Sequence, residues 1–434
     1  MQLRPFLINH NLVTEEFPVA GVSSLEKATN GNTGNSLIGY SVARQMGVQE
    51  VSGIANVNGL DFGSIPEQEK DRIKEHHDVV ILMLQDHIRR PNTDRYRFQQ
   101  GLDYTGIIRF LDRLALPVVM PSIGIQFHDM ALPDFINQLD PNLIQFLRDI
   151  AERVPVIGVR GEITSDVLSR IGITNSRAIG CPSFFFNGED GPGVFHRDAL
   201  EQPAKKRDWN LTLTSDFFLP RRLRGQLIDK PLPLIMQSEF DVIGPTLFPN
   251  LPLVSHQALA LKDKLRSQSV LAFTNPREWI GHFEQVDLVV GSRLHGAIAA
   301  IQGGAHALIV SDDMRTKEMS DFLGLPRVKR LPLRGIRRVS SLYEESFLLD
   351  TNMEIAKKKY FGLLSNYAQF MSDSGVTLNA SKSFSHPSNV SRLSQFTKNS
   401  DSEQSVLTHH TRDLNLIEQF SGLLSRLRRR AMFL

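Results

Sequence analysis

Two doubly wound parallel-sheet α/β halves facing each other across a cleft, with a helical carboxyl-terminal extension, are the fold class this 434-residue sequence predicts. Three observations carry that expectation. Short apolar runs alternate with helix-like segments through residues 1–186 and again through 208–338, the βαβ pattern of parallel sheets. A stretch rich in Gly, Pro and charge, 187–207, divides the two sets as a linker or hinge. Residues 286–304, VDLVVGSRLHGAIAAIQGG, read as a buried strand, a tight polar turn and a buried helix.

Taken in order, 18–25 reads as a strand, followed by Gly31-Asn32-Thr33-Gly34-Asn35-Ser36 and a helical stretch over 37–46. Residues 77–84 (HDVVILML) form a continuous apolar run, as expected of a strand covered on both faces. PVVM within 116–125 and VPVIGV at 154–159 are further strands. The second half offers strands at 210–214, 233–237, 271–273, 286–290 and 307–310. Beyond it, 339–371 is helical in pattern, and 372–405, poor in apolar residues, reads as a disordered linker. In 406–434, Leu414, Ile417, Phe420, Leu424, Leu427 and Ala431 share one helical face, and Arg426, Arg428, Arg429 and Arg430 crowd its end. This basic amphipathic helix, 413–434 at its core, either docks on the protein or makes peripheral contact with an anionic membrane surface.

Hydrophobic residues make up 41% of the chain and charged residues 22%, and the formal net charge is only +2, so no global field selects nucleic acid. The single cysteine, Cys181, excludes an internal disulfide framework and a cysteine-based zinc site. No run approaches the roughly 20 apolar residues of a membrane span, and the amino terminus lacks the apolar core of a secretory signal. A cytoplasmic protein is expected, at most peripheral at the inner face of the membrane. The absence of a G-x-S-x-G elbow and of a P-loop argues against a serine hydrolase and a P-loop kinase. Asp312-Asp313 has no histidine partner at ligand spacing, so no metal is expected.

The turn Ser292-Arg293-Leu294-His295-Gly296 falls at the carboxyl end of a strand, where open α/β sheets keep their ligands. It also opens a helix, whose first N–H groups lack partners. An arginine and a histidine there suit an anionic substrate that also needs a proton moved. The alternative is a capping arginine and a satisfied core histidine. Arg160 stands at the corresponding end of VPVIGV, either as an anion clamp or in an ion pair with Glu162 or a nearby carboxylate. Gly31, Asn32, Gly34 and Asn35 either present backbone N–H groups to a ligand or make a plain turn. Arg315, Lys317 and Glu318 follow the strand at 307–310 and would flank the same site.

Three further segments join that turn in resembling the polysaccharide pyruvyl transferase family. GNTGNSLIGYSVARQMG is similar to the family's N-terminal glycine/asparagine loop and helix. VIGVRGEITSDVLSRIGITNSRAIGCPSFFF is similar to its central block, where an arginine-glycine pair precedes a helix and a cysteine- or aspartate-proline closes the segment. VVGSRLHGAIAAIQGGAHALIVSDDMRTKEMSDFLGLP is similar to its C-terminal signature. Asn35 stands where the family often has aspartate, and Gln85-Asp86-His87-Ile88-Arg89-Arg90 replaces a glycine-rich turn.

The resemblance implies GT-B-like halves and transfer of the carbon skeleton of phosphoenolpyruvate to a glycan or lipid-linked glycan acceptor in exopolysaccharide biosynthesis. The product is a pyruvate ketal bridging two hydroxyls. No cofactor is implied; phosphoenolpyruvate is the donor substrate. Its carboxylate and phosphate call for guanidinium clamps. Its methylene carbon must gain a proton, for which His295 is the candidate acid, with Arg293 beside it in the catalytic pair. Arg160, Gly31, Asn32, Gly34, Asn35, Ser292, Arg315, Lys317 and Glu318 are the candidate binding set. Two other functions fit the architecture. One is a nucleotide-sugar glycosyltransferase, whose ribose- and base-binding carboxylate would be Glu284 or Asp287. The other is a non-catalytic member that binds glycan or a partner.

Overall fold

The computed structural model describes residues 3–12, 32–48, 51–90, 101–127, 130–197, 209–214, 234–237, 270–273, 275–311, 313–329, 338–345, 353–379 and 390–392. Two parallel sheets organise them. The first runs Val390–Arg392, Val51–Ile54, Pro5–Ile8, Val79–Leu82, Val118–Ile123, Ile157–Val159 and Ser176–Ala178 in spatial order. The second runs Val270–Ala272, Leu234–Met236, Leu211–Leu213, Leu288–Gly291, His306–Val310 and Arg327–Val328. Neighbours in both are parallel. The two-sheet α/β architecture expected from the sequence is the one observed, and a helical carboxyl-terminal region is present.

Alternation along the central strands divides the interior into two cores. Phe6, Ile8, Val80, Leu82, Val118 and Met120 pack on one face of the first sheet, with residues of helices Tyr104–Leu114 and Pro141–Arg153. Leu7, Val79, Ile81 and Val119 face the other way and join a core that continues into the second half. Successive side chains of a strand point to opposite faces, so a sheet covered twice needs unbroken apolar runs. The shared core takes in helix Thr33–Gln45, the wholly buried helix Leu294–Gly303, and part of helix Met353–Asp373. That last helix follows the second sheet in sequence, yet its Tyr360 and Tyr367 pack on Phe184 and Phe185. It straps the halves together.

Several expectations need correction. The first strand is Pro5–Ile8; residues 18–25, Gly31, Asp312 and all of 406–434 lie outside the described residues. Val51–Ile54, Ser176–Ala178 and Arg327–Val328 are strands the pattern did not announce, being short and interrupted by Ser, Gly or Arg. Residues 187–197, expected to belong to a hinge, are packed: Val194 and Phe195 are buried, and Asn187 Nδ2 donates to Gln302 O at 3.0 Å. A Cβ on Gly193 would lie 2.7 Å from Gln302 O, so glycine there marks close approach to the helix, not freedom. Val390–Arg392, inside the stretch expected to be disordered, pairs with Val51–Ile54 as an edge strand. Backbone pairing orders it, and low apolar content does not report backbone pairing. Among the described residues, no helix is long and apolar enough to cross a membrane.

Candidate functional site

Polar side chains gather where the strands of both sheets end. From the second half, strand Leu288–Gly291 stops at its glycine, and Arg293 is the N-cap of helix Leu294–Gly303 without a side-chain cap bond. Ser292 and Arg293 are half-buried in the turn. Leu294 enters the core and so anchors the turn, and His295 beside it is 5% exposed. A Cβ on Gly296 would sit 2.6 Å from Thr214 Cγ2, and the Gly296 N–H donates to Gln237 Oε1 at 3.1 Å.

From the first half, Gly34 brings the start of helix Thr33–Gln45 against His295. Asn32 caps that helix: its Oδ1 accepts from Gly34 N at 2.8 Å and from Gln237 Nε2 at 3.0 Å. Gln237 therefore ties together the amino ends of one helix from each half. Asn35 lies half-buried in the first turn, its N–H bonded to Asn32 O at 3.0 Å. A Cβ on Gly34 would lie 2.6 Å from both His295 Nδ1 and Gln237 Nε2. Gly34→Ala is expected to push the imidazole aside and lower turnover by about 10²-fold, the cost of roughly 1 Å of misplacement. Wild-type turnover in a folded Gly34→Ala protein would show that the ring has room to move.

Arg160 follows strand Ile157–Val159 and is 1% exposed. Its Nε donates to Ser122 Oγ at 3.3 Å, while Nη1 and Nη2 have no partner among the described residues. Ser122 is buried with φ 70°, at an irregularity in its strand's pairing. A non-glycine residue in the left-handed region costs on the order of 1–3 kcal/mol and persists only where its surroundings enforce it. Among the described residues no ion pair within 4 Å joins Arg160 to Glu162 or to another carboxylate, although the charges of Asp86 and Glu318 act on it.

The glycine after Arg160 has its own reason. Gly161 opens helix Glu162–Arg170 without a side-chain cap. Glu318, from the second half, supplies one: its carboxylate accepts from Thr164 N at 2.5 Å and Thr164 Oγ1 at 2.9 Å. A Cβ on Gly161 would lie 2.5 Å from Glu318 Cγ. Glu318, expected to bind substrate, is thus corrected to a cap joining the two halves, because both its oxygens are engaged. Lys317 is also corrected: its Nζ pairs with Asp321 at 2.5 Å on an exposed helix face. Arg315 does reach the cluster, with Nη1 3.5 Å from Asp86 Oδ2.

The charges act on one another. Burial holds His295 well below its ordinary value, Arg160 and Arg315 push the same way, and Asp86 opposes them; the ring is neutral at pH 7. Burial lowers the Arg160 guanidinium too, opposed by Cys181, Asp86 and Glu318 and aided by Arg315. Burial also works against ionised Asp86, but His87, Arg315, Arg89 and Arg160 overcome it and bring the carboxyl down to about 2. Cys181 Sγ lies 3.7 Å from His295 Nε2 and 3.0 Å from Ser183 Oγ. Asp86 and Cys181 are site groups that sequence reasoning missed. A signal existed for Asp86, in a polar turn directly after the apolar run 77–84. For Cys181 the signal was the cysteine-proline that closes the central block, but nothing local announced its contact with a histidine 114 residues away.

Buried histidines give the fold an acid limit. Burial brings both His87 and His306 down to about 4, whereas an unfolded histidine titrates near about 6.5. Between those values the unfolded chain binds protons that the folded chain refuses, so stability falls as pH drops through that window. His295 adds in the same direction. The urea midpoint is expected to be lower at pH 5 than at pH 7; equal midpoints would refute this account.

Other candidates lie elsewhere. Asp287 precedes strand Leu288–Gly291, at the opposite end from the cluster, with Oδ1 3.1 Å from Arg197 Nη2 and Oδ2 accepting from Asn210 N at 2.9 Å. Glu284 is exposed in the turn Phe283–Gln285. Asp313 caps helix Met314–Leu323 by accepting from Thr316 N at 2.8 Å. Among the described residues, no group of three or more His, Cys, Asp or Glu side chains is placed to hold a metal ion.

A buried arginine with unpartnered Nη donors, a second guanidinium and a neutral histidine, at the strand ends of two parallel sheets, define an α/β protein with an anion-suited site. The model of the polysaccharide pyruvyl transferase family matches residues 92–313, about half of the chain, and the chain belongs to that family. No curated protein matches it. Among solved structures, Anabaena HepE in complex with UDP and glucose is 10% identical, with a TM-score of 0.42 over 85% of this chain and 99% of that one. The UDP-GlcNAc 2-epimerase of Methanocaldococcus jannaschii is 14% identical, with a TM-score of 0.38 over 81% of this chain and 94% of its own.

Proposed function

We propose that the chain transfers the pyruvate moiety of phosphoenolpyruvate to a sugar of a surface polysaccharide or its precursor, as a ketal on two hydroxyls. Arg160 carries this reading: a buried guanidinium whose Nη1 and Nη2 have no partner among the described residues, in the same charge cluster as neutral His295. A buried cation is costly unless an anion completes it, and a carboxylate or phosphate matches its fork. Arg293 and Arg315 supply further positive charge for a donor carrying both groups.

In this mechanism the methylene carbon of the donor gains its proton through His295, and the adjacent carbon becomes oxocarbenium-like. A sugar hydroxyl attacks it and returns a proton to His295, phosphate leaves, and a second hydroxyl closes the ketal, its proton departing with the phosphate. The clamp lowers the barrier by holding the donor where charge develops. The test is phosphate release from phosphoenolpyruvate with candidate glycans, run beside turnover of sugar nucleotides. Acceptor-dependent phosphate release is expected. Consumption of a sugar nucleotide without it would overturn the proposal.

A further inference from the structure

Cys181 is the member of the cluster that the reading above leaves unused. It is fully buried, and its Sγ lies 3.7 Å from His295 Nε2. Among the described residues nothing bonds His295 Nδ1, which lies beside Gly34. The ring is therefore held at one nitrogen and open at the other. Its charged surroundings are Arg160 and Arg315, which disfavour a cationic ring, and Asp86, which favours one; the cations prevail. A neutral imidazole that gives up its one N–H proton must take up another in the same step, because an imidazolate is not accessible in water-like conditions. The unpartnered Nη1 and Nη2 of Arg160 belong to the same cluster, and Cys181 is among the groups whose charge acts on that guanidinium.

We propose that Cys181 is a positioning residue for His295: its thiol donates to Nε2, selects the Nδ1–H tautomer, and refills the ring as Nδ1 gives its proton away. The proposal rests on the donor reading above. As the Nδ1–H bond breaks and a C–H bond forms at the donor's methylene carbon, the Sγ–H bond breaks and an Nε2–H bond forms. One proton has then moved from sulfur to carbon. The thiolate left behind accepts a hydrogen bond from Ser183 Oγ, 3.0 Å away, and feels the Arg160 guanidinium. The attacking sugar hydroxyl gives its proton to Nδ1, Nε2–H returns its proton to sulfur, and the pair is reset.

Two experiments on the full chain test this. Histidine labelled with ¹⁵N reports the tautomer directly, with the His295 signal identified by its absence in His295→Gln. The Nδ1–H form is expected from about pH 6 to about pH 8, where free imidazole would titrate, and Cys181→Ala is expected to lose that preference. An Nε2–H tautomer in the unsubstituted protein overturns the proposal whatever the substrate is. The expected tautomer in a protein that never turns over phosphoenolpyruvate supports the positioning role and overturns the donor reading instead.

The second experiment is kinetic. Cys181→Ser keeps a hydrogen bond but loses the acidity, so kcat is expected to fall about 10²-fold while KM for phosphoenolpyruvate changes by less than about threefold. Cys181→Asp, whose carboxylate would hold a cationic ring, is expected to recover turnover, with activity declining as pH rises through the ring's raised value. A Cys181→Ser protein with unchanged kcat and pH profile overturns the proposal, since a packing role alone would leave both intact.

Discussion

His295→Ala is expected to lower turnover by about 10²–10⁴-fold, the range over which general acid–base groups contribute, while the protein still folds. The ring is 5% exposed, yet its polar contact within the described residues is the sulfur of Cys181, so few bonds are lost from the framework. Removing it leaves a cavity whose cost is about 1–3 kcal/mol, as for ordinary core truncations. The helix it opens is secured by other means: Leu294 in the core and the Gly296 N–H on Gln237. His295→Gln fills more of the space and separates the two effects. It should recover stability without recovering turnover. Activity per folded molecule equal to wild type in either variant would return His295 to the role of a core histidine.

Arg160→Met is expected to have the opposite signature in stability. Among the described residues the buried guanidinium makes one bond, Nε to Ser122, and its two Nη groups have no partner. A buried charge whose donors are incompletely paired carries a desolvation cost that an apolar side chain of similar length does not, so the substitution is expected to be neutral or stabilising. Donor binding should suffer heavily. Hydrogen bonds to charged groups contribute about 1.5–3 kcal/mol each, so losing a two-pronged clamp should raise KM for phosphoenolpyruvate by at least about 10²-fold. A melting temperature equal to or above wild type, with donor affinity lost, is the expected pair of results. A destabilised Arg160→Met protein that still binds the donor normally would mean that the arginine serves the fold.

How legible the molecule was depended on the range of the interaction. Residues 77–84 announced a strand because a sheet covered on both faces needs apolar residues at every position, and Val79–Leu82 is that strand. The turn 292–296 announced itself as a ligand-facing strand end for the same local reason. Pro5–Ile8 was not legible, although it lies centrally in the first sheet, because four residues flanked by polar ones carry little periodic signal. The glycines and prolines of 187–197 misled in the other direction. The same composition that loosens a linker also lets backbone approach backbone, as Gly193 does with Gln302.

By itself, then, the sequence determined the alternation of strands and helices, the division into two parallel-sheet halves, and which chemical groups stand at the strand ends. Period, turn chemistry and apolar run length are properties of neighbouring residues, so they can be read along the chain. Tertiary structure alone decided which of those groups meet. It sent Glu318 to cap Thr164 across 154 residues and left Arg160's Nη groups without partners among the described residues. It also set Cys181 against His295 and turned Lys317 outward to Asp321. Side-chain partnership and burial set whether a carboxylate is a cap or a ligand group, and whether a histidine is neutral or charged. Both arise only when distant segments pack.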